Sequence, residues 1–149
     1  HLTMERYANI QYFSIYLWFQ ERDLGGFASY FLKESKGEMD HAQKFADYLV
    51  TRGQNVKLNE LPAPIQSWES IETLISYSFN MEADLTSSLQ QLYSISERIA
   101  DTRTNVFLDP LVEAQTKSED EFAHILGKVK FAKNQPSAIL LIDSYLKEK

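Results

Sequence analysis

Glycine and proline are the residues that stop helices, and this chain has only five of the first and four of the second. They are read here as falling between long periodic segments, the way breakers sit in an all-helical chain. Four long helices are predicted, over about 1–19, 27–52, 67–100 and 104–133, with a short fifth over about 137–146. The first ends before Asp23-Leu24-Gly25-Gly26 and the second stops at Gly53, a residue that favours helix C-termini. Short turns make helices 1 and 2 antiparallel neighbours, and the Asp101-Thr102 turn does the same for helices 3 and 4. Between the pairs lies 54–66, with Pro62 and Pro64. About 13 extended residues reach roughly 43 Å, enough to run the length of a 25-residue helix at about 38 Å. The expected architecture is therefore all-α: a four-helix bundle with one long crossover and a short C-terminal helix, in a single domain over 1–149. The apolar run Ala138 to Ile142 is more than one short helix can hide, so the fifth helix should pack on the bundle end or on other subunits.

Composition removes several chemistries. The chain has no cysteine, which excludes disulfides, thiolate catalysis and sulfur-ligated metals. Any metal must rest on Glu, Asp, His or an amide. A net charge of -6, with 15 basic residues scattered along the chain, argues against a nucleic-acid partner. No stretch approaches the roughly 18 uncharged apolar residues that cross a membrane, and no secretory leader is evident, so a soluble protein is expected.

Polar residues interrupt the stripes that should be core. On helix 2, Phe27, Phe31, Phe45 and Leu49 mark the buried face, and Glu34, Glu38 and His41 occupy its middle. On helix 3 the stripe Leu74, Ser78, Met81, Leu85, Leu89, Leu92 contains Glu82. An ionised carboxylate is expensive to bury unless something neutralises it, and His41 is the only candidate cationic side chain within these stripes. A bound cation resolves this. Glu-x-x-His places an oxygen and a nitrogen ligand one turn apart on one face, which suits transition metals such as iron.

Spacing puts these groups at one level. Glu5 lies 33 residues before Glu38, and Glu82 lies 33 before Gln115. Each hairpin turn falls near the middle of its interval, so Glu5 should be level with Glu38 and His41, and Glu82 with Gln115 and Ser118. Three carboxylates, one imidazole and one amide suffice for two divalent ions. Glu121 and His124 also read Glu-x-x-His but are out of register: His124 is nine residues past Gln115, about 180° round the helix. Tyr12, seven residues after Glu5, faces the same way about 10 Å further along. Its position suits a hydrogen-bond donor or electron source, but the eight tyrosines of a helical chain like this one are mostly packing residues with one wet end.

At these residues the sequence resembles the ferritin family over nearly its whole length, and looks most similar to non-haem ferritins of cyanobacterial type. The segments that carry the likeness are Glu5-Arg6-Tyr7-Ala8, Glu38-Met39-Asp40-His41, Met81-Glu82-Ala83-Asp84 and Phe107-Leu108-Asp109-Pro110-Leu111, followed by Gln115. Glu and Glu-x-x-His ligands in a bundle core are the general pattern of ferritin-like di-iron proteins. The resemblance implies that Glu5 and His41 hold one iron, Glu82 the other, and that Glu38 bridges them. Gln115 becomes the amide of the second site and Tyr12 the tyrosine that can give up an electron. Glu34 and Asp109 match acids on the iron path from a threefold channel. The implied activity is that of a ferroxidase, Fe²⁺ being oxidised by O₂ and stored as ferric mineral inside a cytoplasmic cage of 24 copies.

Departures from the family pattern are also readable. Gly37 stands where many relatives have a further acid. Ala114, Lys117 and Ser118 replace the acids that build a third iron site in some bacterial members, so two irons are expected. Only four residues precede Glu5, which implies a chain cut short at its start. Met39, directly after the bridging Glu, keeps a haem-carrying bacterioferritin in view, although no haem is expected. A cage-less di-iron oxidase and a non-enzymatic helical interaction protein are the other readings.

Overall fold

The computed structural model describes residues 1–149 and contains five helices: α1 (Leu2–Gln20), α2 (Gly25–Thr51), α3 (Ile71–Arg98), α4 (Thr102–Ala132) and α5 (Pro136–Lys147). They fall into two compact units. One comprises Leu2–Trp68 and Asn134–Lys149, and the other Glu69–Lys133 together with His1. No helix is long and apolar enough to cross a membrane.

In the first unit α1 and α2 form a hairpin whose seam is aromatic. Phe19 stacks on Phe27 at 4.7 Å and on Phe31 at 5.6 Å, and Tyr12 lies tilted against Phe31 at 5.6 Å. All four rings are fully buried. Asn9 donates to the Ser35 carbonyl at 2.8 Å, and Ser35 returns a hydroxyl bond to the Asn9 carbonyl at 2.8 Å, which fixes the register of the pair. Helix α2 ends with Gly53 at φ +78°. Gly53 N–H bonds Val50 O and Gln54 N–H bonds Leu49 O, both at 2.9 Å, the paired closure that a left-handed residue after a helix allows. The connection that follows is held on α1 by Arg6, Ser14 and Thr3 at its surface and by one buried side chain. Gln11 donates to the Ile65 carbonyl at 2.9 Å and accepts from the Ile65 N–H at 2.8 Å, so its amide acts as a one-residue strand partner.

The second unit is the α3–α4 hairpin. Ser70, extended at φ -156°, caps α3 by accepting from Thr73 N–H at 3.1 Å. The turn between the helices is minimal because Asp101 serves both. Its N–H closes α3 on Ser96 O at 2.8 Å, and its carboxylate caps α4 by accepting the Thr104 N–H at 3.3 Å and hydroxyl at 2.7 Å. Ala100 takes the left-handed conformation there, at φ 56°.

Several observed boundaries differ from the sequence reading. Helix α2 begins at Gly25, so both glycines read as turn lie inside it. Gly26 is there because its Cα faces α5: a Cβ would stand 1.8 Å from the Asp143 carbonyl oxygen. Helix α3 begins at Ile71, four residues later than expected, because the Ser70 cap starts it. Helix α4 begins at Thr102, two residues early, because Asp101 caps it. Pro110 does not punctuate; it lies within α4. The helical bond it forfeits would have gone to the carbonyl of Val106, and both residues are exposed, where water can serve.

Candidate metal centre

In the α1–α2 hairpin the aromatic seam gives way to acids. Glu5 on α1 and Glu38 on α2 are each only 2% exposed, and His41, one turn beyond Glu38, is 20% exposed at its side chain. His41 Nδ1 lies 3.5 Å from Glu38 Oε2 and 3.8 Å from Glu5 Oε2. One ligating atom from each of the three residues falls within 4.8 Å of the others. The helix period puts Glu38 and His41 on one face, and the Asn9–Ser35 register brings Glu5 opposite them. Two carboxylates surround one imidazole, so the cluster carries one more negative than positive charge even when His41 is protonated. A divalent cation would correct this deficit.

The His41 imidazole responds to that field. Its pKa is raised from 6.5 to about 10, first by hydrogen bonding to Glu38, then to Glu5, with burial opposing. In the metal-free protein a proton thus holds the place a metal would take. Because the folded value lies above the unfolded one, the stability it contributes is complete below about pH 6.5 and is lost as pH rises through about 10. The melting temperature of metal-free protein is expected to fall across that interval, with a shallower fall in His41→Asn. Parallel slopes in the two proteins would remove the charged imidazole from the account.

The α3–α4 hairpin holds the other predicted residues. Glu82 is fully buried, and Gln115 Nε2 donates to its Oε2 at 2.7 Å and to its carbonyl oxygen at 3.0 Å. An ionised carboxylate offers only acceptors, so the amide turns its nitrogen toward Glu82, and Oε1 is the atom left for another ligand. Nearby, the Thr86 hydroxyl lies 2.5 Å from Glu119 Oε2 and 3.0 Å from the Glu82 carbonyl. Sequence reading missed Thr86 and Glu119. The signal was present, since they repeat the 33-residue interval of Glu82 and Gln115.

The remaining predicted residues stand apart. Tyr12 is fully buried on α1 within the aromatic seam. Glu34 is half-buried one turn before Glu38 on α2. Asp109 is exposed on α4 and accepts the Tyr93 hydroxyl at 2.8 Å, a bond that raises the tyrosine's pKa. His124 is exposed and faces Asp120 at 3.5 Å, away from the buried groups, as the register argument required.

Comparison with known proteins gives these residues a context. A family model described as a ferritin-like domain matches residues 1–132. A bacterial non-heme ferritin of Campylobacter jejuni is 28% identical over 146 residues, covering 98% of this chain and 87% of the relative. Ferritin-1 heavy chain of Schistosoma mansoni is 31% identical over 133 residues, 84% of this chain and 77% of its own. The structure of an open pore ferritin from the hyperthermophilic archaeon Archaeoglobus fulgidus superposes with a TM-score of 0.94 at 25% identity, covering 99% of this chain and 91% of that one. On the strength of a family match across both helical hairpins, the chain belongs to the ferritin family.

Proposed function

We propose that this chain is an iron-storage ferritin subunit in which Fe²⁺ is the substrate of a ferroxidase reaction. The observation that carries the reading is the buried cluster of Glu5, Glu38 and His41, whose ligating atoms approach within 4.8 Å of one another. Glu5 and His41 bind one ferrous ion. Glu82, with the Gln115 oxygen as a weak donor, binds a second, and Glu38 is the carboxylate the two ions share. Oxygen-rich ligation favours the ferric state. Two ferrous ions each give one electron to dioxygen, which takes up two protons and leaves as hydrogen peroxide. The second half lacks a histidine, since Ser118 stands in register with His41, so its iron is loosely held and free to move on to a mineral.

Glu34 and Asp109 serve as transit acids for entering iron. The mineral needs an enclosing shell, in this family 24 copies, and the exposed Leu140, Leu141 and Tyr145 of α5 supply apolar surface for self-association. No haem is proposed, and the purified protein is expected to show no haem absorption.

Anaerobic ferrous titration followed by stopped-flow exposure to oxygen tests the reading. Two rapidly oxidised irons per chain are expected, and none would overturn it. Tyr12→Phe tests the electron-donor role within the same assay. Turnover should slow several-fold while ferrous binding is unchanged, and equal rates without a radical signal in wild type would remove Tyr12 from the reaction.

A further inference from the structure

We propose that Glu119 is a positioning residue for the Glu82–Gln115 half-site, acting through Thr86 to keep the Glu82 carbonyl available to the Gln115 amide. The inference rests on the metal-binding reading above and concerns only the α3–α4 hairpin.

Donor counting around one oxygen carries it. A backbone carbonyl has two lone pairs. The Glu82 carbonyl lies mid-helix, where the Thr86 N–H already uses it in the i to i−4 ladder. Two further groups compete for what is left. Gln115 Nε2 stands 3.0 Å away, and so does the Thr86 hydroxyl. The hydroxyl has a single hydrogen and a second acceptor, Glu119 Oε2, at 2.5 Å. That shorter separation is in the range of a hydroxyl bonded to a charged carboxylate, roughly twice the strength of a neutral bond. The hydrogen therefore goes to Glu119, and the Glu82 carbonyl remains for Gln115.

The consequence falls on the amide. With one N–H on the Glu82 carboxylate and the other on the Glu82 carbonyl, Gln115 has no donor left and its orientation is fixed. Its Oε1 is then held as an acceptor. Without Glu119 the Thr86 hydroxyl turns back onto the Glu82 carbonyl and displaces the amide. Gln115 keeps only its carboxylate bond, and its oxygen is no longer held in one place. Glu119 is suited to this part by its setting: it is half-buried at an open groove of about 360 Å³ also lined by Phe79, Thr86 and Thr116.

A rescue experiment tests this. Zn²⁺ is titrated calorimetrically into the assembled, metal-free protein and the two affinities per chain are read. Glu119→Ala should weaken the second affinity by roughly fivefold, the scale of one net hydrogen bond, and leave the first unchanged. Adding Thr86→Val should restore it, because the competing hydroxyl is gone and the amide regains the carbonyl. A merely structural Glu119 would make the double variant as poor as the single one or worse, and that result overturns the proposal. So does an unchanged second affinity in Glu119→Ala. Should that variant fail to assemble, Glu119→Leu is read in its place with the same pair of outcomes. A wild type that binds one Zn²⁺ only would instead sink the two-iron reading and this inference with it.

Discussion

Glu38→Ala is expected to abolish the fast phase of ferrous oxidation while the protein remains folded and assembled. Glu38 is the group on which the proposed reaction converges, since its carboxylate faces His41 at 3.5 Å and is 2% exposed. Loss of a partner that merely orients a metal ligand lowers affinity or activity by about 10–100-fold, and loss of a shared ligand should exceed the upper figure. Folding should survive for an electrostatic reason. The metal-free cluster holds two carboxylates against one imidazolium, and removing Glu38 leaves a balanced Glu5–His41 pair. The variant also removes the largest cause of the raised His41 pKa, so the histidine's NMR titration midpoint should drop well below 10. Stopped-flow absorbance, a thermal melt and that titration separate the possible outcomes. Fast oxidation persisting in the variant would show that Glu38 does not bridge, and a melt that collapses would show that the acid is needed for the fold itself.

The elements were legible because helices of this length repeat their apolar residues every three to four positions, and the acids stood out against that repeat. Glu5, Glu38, His41, Glu82 and Gln115 all lie on the inward faces assigned from the sequence, and within each hairpin the paired groups meet. What could not be read was every feature set by a residue distant in the chain. Gly25 and Gly26 look like a turn because glycine usually ends helices, and only Asp143, over a hundred residues away, explains a glycine at the second position of α2. Asp109 entered only through the resemblance, as an acid on an iron path, and its bond from Tyr93 on α3 could not be foreseen. Pro110 is an exception to prolines falling between segments, and the predicted range 104–133 already contains it: the exposed side of a long helix tolerates one missing bond. Thr86 and Glu119 escaped because neither is unusual on a helix by itself; their 33-residue interval was readable, but it takes their separation of 2.5 Å to single them out.

The docking of α5 depends on that same distant residue, and Gly26→Ala is expected to undo it. The added Cβ would lie 1.8 Å from the Asp143 carbonyl oxygen and 2.7 Å from its carbon, both main-chain atoms that no rotamer change can move aside. Helix α5 must therefore shift as a body. In shifting it loses the Asp143 carboxylate that accepts Phe27 N–H at 2.9 Å, a bond that replaces the missing local cap at the start of α2. An N-cap is worth about 1 kcal/mol and forced overpacking about 1–3, so about 3 kcal/mol is expected in all. At this chain length that corresponds to a melting temperature lower by roughly 6–12 °C. The buried contacts of Ile139, Ile142 and Leu146 weaken together, so limited proteolysis should cut within α5 before the rest of the chain. Gly25→Ala supplies the control. Its nearest neighbour is the flexible end of Lys147 at 3.6 Å, and alanine gains about 1 kcal/mol over glycine in a helix, so that variant should melt no lower than wild type. If the two alanine variants behave alike, close approach to Asp143 is not what holds α5 in place, and the attachment must come from its apolar face alone.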